Sequence, residues 1–200
     1  FVYFLFACLT KMTTQKQTLQ AQGHAHTNRA KAHETTGWLK WTPEWSLAAS
    51  EYEKAASSFK MARDYDNAVH AYRMQANAFG KTGLQFSAGQ SLERAAGMAK
   101  EKRNGNEEAC ELLLEAGRLY RLGGKDGKAA EVMTKAAQLV LNDYKKAKGI
   151  LDDVMMMYRD DEQLVRFGQE TFRLGITLHA PHHHLLDLVD FLRCLQGHYR

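Results

Sequence analysis

Glu51-Tyr-Glu-Lys-Ala-Ala56 recurs as Ser91-Leu-Glu-Arg-Ala-Ala96 and again as Glu131-Val-Met-Thr-Lys-Ala-Ala137, at steps of 40 and then 41 residues. Self-similarity at a fixed period of that length is the mark of a repeat architecture. The stretches between the copies also correspond: Asn67-Ala-Val-His-Ala-Tyr-Arg-Met-Gln-Ala76 runs to Gly83, and Glu108-Ala-Cys-Glu-Leu-Leu-Leu-Glu-Ala-Gly117 runs to Gly123-Gly124. Each unit therefore reads as two helices joined by a turn. Within the units, Tyr52, Ala56 and Phe59, then Leu92, Ala96 and Ala99, then Met133, Ala137 and Val140 follow one another at spacings of three and four. That spacing puts a small residue between bulkier ones on one buried helix stripe.

Punctuation agrees with the period. Asp64, Asn106 and Asn142 or Asp143 are suited to cap helices beginning near Tyr65, Glu107 and Tyr144, while Gly83 and Gly123 are suited to end helices in the left-handed conformation. Short connections make neighbouring helices antiparallel. The fold expected is all-α and resembles the tetratricopeptide-repeat solenoid, in which each hairpin buries its face against its neighbours. Its period is longer than the 34 residues of that family, and the family's Trp-Leu-Gly-Tyr signature is missing. The organisation expected is a non-native or disordered leader over 1–13, a repeat domain over 14–178 and a divergent helical segment over 179–200.

Composition sets the outer bounds. Two hundred residues with 44% hydrophobic and 25% charged side chains describe a globular chain able to bury a substantial core. Pro43 and Pro181 are its only prolines. A formal net charge of +4 is too mild for a nucleic-acid binder, yet it suits an acidic protein or an anionic membrane surface. Cys8, Cys110 and Cys194 are an odd count at unrelated spacings, which indicates neither a disulfide framework nor a zinc site and fits a reducing, cytosolic setting. The apolar opening Phe1-Val-Tyr-Phe-Leu-Phe-Ala-Cys-Leu9 lacks a starting Met and a basic leader. It reads as upstream sequence ahead of a natural start at Met12, or as a signal peptide without its start.

All three tryptophans fall in Gly37-Trp-Leu-Lys-Trp-Thr-Pro-Glu-Trp45. Thr42, Pro43 and Glu44 read as an N-cap, a proline at the first helical position and an acid in the first turn. Trp38, Leu39 and Trp41 then belong to the preceding connection, and Trp45 to the helix. Indoles favour interfaces, so the connection reads either as a membrane or partner contact or as a loop folded back over helix ends.

Thr36-Gly-Trp-Leu-Lys-Trp-Thr-Pro-Glu-Trp-Ser-Leu-Ala-Ala-Ser-Glu-Tyr-Glu-Lys-Ala-Ala56, followed by Phe59-Lys-Met-Ala62, resembles the N-terminal part of the soluble NSF attachment proteins, most closely the gamma type. The likeness runs through Tyr120 and, more weakly, to about Leu174. It implies an adaptor of vesicle trafficking that coats SNARE bundles and recruits a hexameric ATPase, the N-ethylmaleimide-sensitive factor, to disassemble them. It implies no enzymatic activity and no cofactor, and a cytoplasmic protein held peripherally at membranes. Trp38, Leu39 and Trp41 correspond to the family's membrane-touching loop, which turns the reading of the tryptophans toward membrane contact. Arg63, Lys125 and Arg166 align with basic residues that face the acidic SNARE bundle; for each, the plain alternative is a solvated surface charge. The resemblance fades beyond about Thr177, and the family's C-terminal bundle that contacts the ATPase has no counterpart before Arg200, so weak recruitment of the ATPase is expected. The alternative is a generic helical-repeat scaffold with an unrelated partner.

Other candidates carry less. His179, His182, His183 and His184 flank Pro181, but consecutive histidines point in different directions and no acid or thiol lies at ligand spacing, so no metal site is expected. No phosphate-binding glycine loop or nucleophile elbow is present. Met155-Met-Met157 reads as core filler or as a pliable contact surface.

Overall fold

The computed structural model describes the backbone of residues 2–36 and 41–160, and the side-chain surroundings of 12–36 and 41–157. Among the described residues there are seven helices and no strand: α1 (Val2–Glu34), α2 (Trp45–Met61), α3 (Tyr65–Lys81), α4 (Gln85–Lys100), α5 (Asn106–Leu122), α6 (Asp126–Leu139) and α7 (Tyr144–Asp160). The all-α, helix-hairpin expectation holds. The chain divides into two compact units, Phe1–Ala109 and Cys110–Arg200.

In the first unit each helix packs on the next. Side-chain pairs fix the sense of α1 on α2: His33 Nδ1 lies 2.9 Å from Glu44 Oε2, His26 Nδ1 lies 2.7 Å from Glu51 Oε2, and Gln20 donates to Asp64 Oδ2 at 2.7 Å. As one chain descends the other climbs, so the pair is antiparallel. Residues 62–64 and 82–84 make the turns that reverse α2 into α3 and α3 into α4. The Arg94 guanidinium of α4 reaches Glu53 Oε1 of α2 at 2.6 Å, and the two turns leave α2 and α4 running in the same sense. The repeat read in the sequence is thus a lateral repeat of helices.

The expected stripes are the core. Tyr52, Ala56 and Phe59, Leu92, Ala96 and Ala99, and Met133, Ala137 and Val140 are all buried. Alanines dominate around them, so the backbones approach closely and the larger side chains fill the space between. Contact is close at Gly23 of α1, where an added Cβ would come within 2.7 Å of the buried Phe59 ring.

Three turns share one hydrogen-bond pattern. Asp64, Leu84 and Lys125 N–H groups donate to the carbonyls of Phe59, Phe79 and Tyr120 at 2.9, 3.0 and 2.8 Å, closing helix ends in the Schellman manner. The left-handed residue in each is Arg63 (φ 53), Gly83 (φ 76) and Gly124 (φ 67). Gly83 serves as expected; in the third turn Gly124, not Gly123, takes the left-handed conformation, because Gly123 still donates a helical bond to Leu119. Asp64 caps α3 by accepting from the Asn67 N–H, and Asp143 Oδ1 accepts from Lys146 N–H at the start of α7. Asn106 stands inside α5, with the Gly105 carbonyl accepting the first helical bond from Ala109.

The backbone is helical from Val2 through Glu34. One boundary differs from expectation. Thr42 and Pro43 do not start α2, which begins at Trp45 with Glu44 at its cap and no side-chain capping bond. The reason is tertiary: the Glu44 N–H donates to the His33 carbonyl at 2.9 Å, holding residue 44 against α1.

In the second unit α6 packs on α7, and Gly117 of α5 faces Met133 of α6. Leu112, Leu113, Ala116 and Tyr120 are buried from α5, and Ile150, Leu151, Val154, Met155 and Met157 from α7. Met156 faces outward, so the methionine run is mostly core. Among the described residues no helix is long and apolar enough to cross a membrane.

Candidate functional site

Between α1 and α2, Glu44 is pinned twice to His33: the Glu44 N–H donates to the His33 carbonyl, and the Glu44 carboxylate meets the His33 imidazole. Ahead of that clamp Trp41 is 88% exposed, so its indole is offered to the surroundings. Trp45, by contrast, packs on the core of Ala30, Ala48, Ala49, Tyr52 and Ala78. Trp41 and Trp45 thus differ in setting, the first exposed and the second packed. Trp38 and Leu39 lie outside the described residues.

The helices under this loop are firmly joined. Burial raises the Tyr52 phenol above its ordinary range, and the Glu34 carboxylate beside it adds to the effect. Hydrogen bonds from Lys54 and then His26 hold the Glu51 carboxyl at about 2, against the smaller opposing effect of burial. At the other end of the same unit, burial alone would raise the Asp64 carboxyl, but hydrogen bonds from Asn67 and Gln20 outweigh it and hold the group down. These groups serve the packing of α1, α2 and α3.

The expected basic contacts fall in separate places. Arg63 is exposed in the α2–α3 turn, at the end of the first unit opposite the loop. It occupies a left-handed position that glycine fills in the two equivalent turns, a conformation that costs an L-residue about 1–2 kcal/mol. Lys125 is exposed in the second unit, at the N-cap of α6, where it makes no side-chain capping bond. A cation there opposes the helix dipole, and lysine is not a capping residue. Both residues are thus poor choices for local structure. Arg166 lies outside the described residues, as do His179, His182, His183 and His184. Among the described residues no cluster suited to a metal ion occurs.

Sequence reading missed the His33–Glu44 clamp. Its members are eleven residues apart across a loop, and no local period links them. The one local hint was an acid at the expected first turn of α2, which was read as a partner of the helix dipole.

The family model described as Soluble NSF attachment protein, SNAP, matches residues 5–169. A relative called Gamma-soluble NSF attachment protein, from Dictyostelium discoideum, is 30% identical over 178 residues, covering 88% of this chain and 54% of its own length. Another of the same description, from Arabidopsis thaliana, is 28% identical over 121 residues, covering 60% of this chain and 39% of its own. The chain spans about half the length of the first relative and less of the second. With the match extending across 5–169, this chain of helical hairpins belongs to the soluble NSF attachment protein family.

Proposed function

We propose that this chain is a non-enzymatic adaptor of vesicle trafficking, peripheral to membranes on the cytoplasmic side, that binds assembled SNARE bundles and touches the bilayer through its α1–α2 loop. The observation that carries the membrane part is Trp41, an indole 88% exposed ahead of the doubly pinned Glu44. Indole at the headgroup level gains from burying its ring while its N–H stays hydrated. Trp38 and Leu39 belong to the same contact in this reading.

Arg63, Lys125 and Arg166 are the residues proposed to meet an acidic bundle. Support comes from the first two keeping a cation where local structure favours glycine or an oxygen-bearing cap. Contacts of this kind give charge complementarity and faster encounter more than raw affinity.

Vesicle co-sedimentation tests the membrane part. The Trp38→Ser, Leu39→Ser, Trp41→Ser variant is expected to lose binding, and a parent chain that does not sediment with vesicles overturns that part. Capture of a SNARE bundle tests the rest: Lys125→Glu with Arg166→Glu is expected to weaken capture and flatten its salt dependence. Unchanged capture removes those residues from the site. The family's ATPase is the further partner this reading implies, tested by pull-down with the bundle present; no retention would confine these 200 residues to bundle and membrane.

A further inference from the structure

Thr42-Pro43 has the chemistry of a helix start and does not serve as one, since α2 begins at Trp45 with Glu44 at its cap. The Thr42 hydroxyl therefore has no capping duty. Its residue is exposed, and residues 41–44 lie outside the helices. Pro43 and Pro181 are the only prolines of the chain, and Ala180 precedes the second. Thr42 is thus the one serine or threonine among 200 residues that stands before a proline.

That pairing has a chemical meaning. A hydroxyl can be phosphorylated only where the chain can enter an enzyme cleft, and a helical backbone does not fit one. Pro43 turns residue 42 away from helical backbone and presents no N–H of its own. A cleft with an apolar pocket at the residue after the hydroxyl accepts proline there, and it disfavours other residues, whose N–H would be buried unpaired. Protein kinases of the proline-directed class select their substrates in this way.

Charge around the site is balanced. Between residues 31 and 45 the sequence holds Lys31 and Lys40 against Glu34 and Glu44, and the Glu44 carboxylate is engaged by His33. A phosphothreonine brings about two further negative charges. With no excess of cations to absorb them, they would stand next to Trp41, the most exposed of the large apolar side chains described. Negative charge at that place opposes approach to an anionic lipid surface.

We propose that Thr42 is phosphorylated by a proline-directed protein kinase, and that the phosphate releases Trp41 from an anionic bilayer. In the transfer, Thr42 Oγ1 attacks the γ-phosphorus of a nucleoside triphosphate. The new O–P bond forms as the bond to the bridging oxygen breaks, the nucleoside diphosphate leaves with that electron pair, and the hydroxyl proton passes to a carboxylate of the kinase. The effect on lipid rests on the membrane reading of Trp41; the modification itself does not.

The test takes the full chain, Thr42→Ala and Pro43→Ala, each treated with a purified proline-directed kinase, magnesium and ATP, and maps phosphate by mass spectrometry. Phosphate is expected on Thr42 of the parent, absent from Thr42→Ala and slow to appear in Pro43→Ala. No phosphate on Thr42 of the parent, or an equal rate in Pro43→Ala, overturns the site. The treated and untreated parent are then titrated with phosphatidylcholine vesicles containing phosphatidylserine, and with phosphatidylcholine alone. The phosphorylated chain is expected to bind the anionic vesicles roughly tenfold more weakly, to bind the neutral ones within about twofold of the untreated chain, and to recover on removal of the phosphate by a phosphatase. Equal binding of both forms to anionic vesicles overturns the release. An untreated parent that binds neither vesicle overturns the membrane reading and the release with it, while the mass measurement still decides the site.

Discussion

Replacing Arg63 with glycine is expected to make the protein more stable and a poorer partner for an acidic bundle. Arg63 has φ 53 in a Schellman turn whose counterparts hold Gly83 and Gly124. An L-residue there gives up about 1–2 kcal/mol. Glycine removes that strain but loses roughly 0.5–1 kcal/mol through the greater freedom of the unfolded chain. The net gain expected is about 0.5–1 kcal/mol. With a urea m-value of about 2 kcal/mol/M, the unfolding midpoint should rise by roughly 0.3–0.5 M at unchanged slope. Arg63→Ala keeps the strained backbone and removes the same charge, so its stability should stay within about 0.5 kcal/mol of the parent. Both variants should capture a SNARE bundle equally poorly, by roughly two- to fivefold at low salt, because one exposed charge contributes up to about 1 kcal/mol. Circular dichroism in urea and capture at two salt concentrations measure the two effects. A less stable Arg63→Gly would refute the strain argument, and glycine and alanine variants that bind as well as the parent would remove Arg63 from the contact.

Gly23→Ala should destabilise by about 1–2 kcal/mol, since its Cβ meets a buried, rigid phenyl ring whose overpacking outweighs the gain in helix propensity. Gly117→Ala, which meets the flexible Met133 thioether, should be near neutral by the same urea measurement; equal costs at both sites would contradict the distinction. The Glu51 carboxyl is depressed in the folded state to about 2, so its contribution is full above the unfolded value near 4.5 and is lost as pH falls through that window. Glu51→Gln should therefore lower stability at pH 6 by on the order of 1 kcal/mol and make little difference near pH 2. Lys125→Ser should raise stability by about 1 kcal/mol by providing a cap for α6 and removing a cation from its N-terminus, while weakening bundle capture in proportion to the lost charge.

What the sequence disclosed, and what it concealed, divides by the range of the interactions concerned. The stripes of Tyr52, Ala56 and Phe59 and their counterparts were legible because burial on one helix face imposes a period of three and four. Asp64 was legible because a cap acts within three residues. The start of α2 was not: Thr42-Pro43 has the local chemistry of a helix start, but the bond from Glu44 back to His33 overrides it across the loop. Propensity has no access to such a contact. The cover over Trp45 was hidden for the same reason, as the core it packs on draws Ala30 from α1 and Ala78 from α3. Among the proposed site residues, Arg63 and Lys125 came from resemblance; their odd backbone settings emerged only from the turns and caps around them.

The His33–Glu44 clamp also sets a mechanical load path. A pull on Trp41 reaches both helices together, because the clamp ties the entry of α2 to the last turn of α1. Whatever holds that indole therefore holds the first hairpin as one piece, with His26 on Glu51 and Gln20 on Asp64 spread along it.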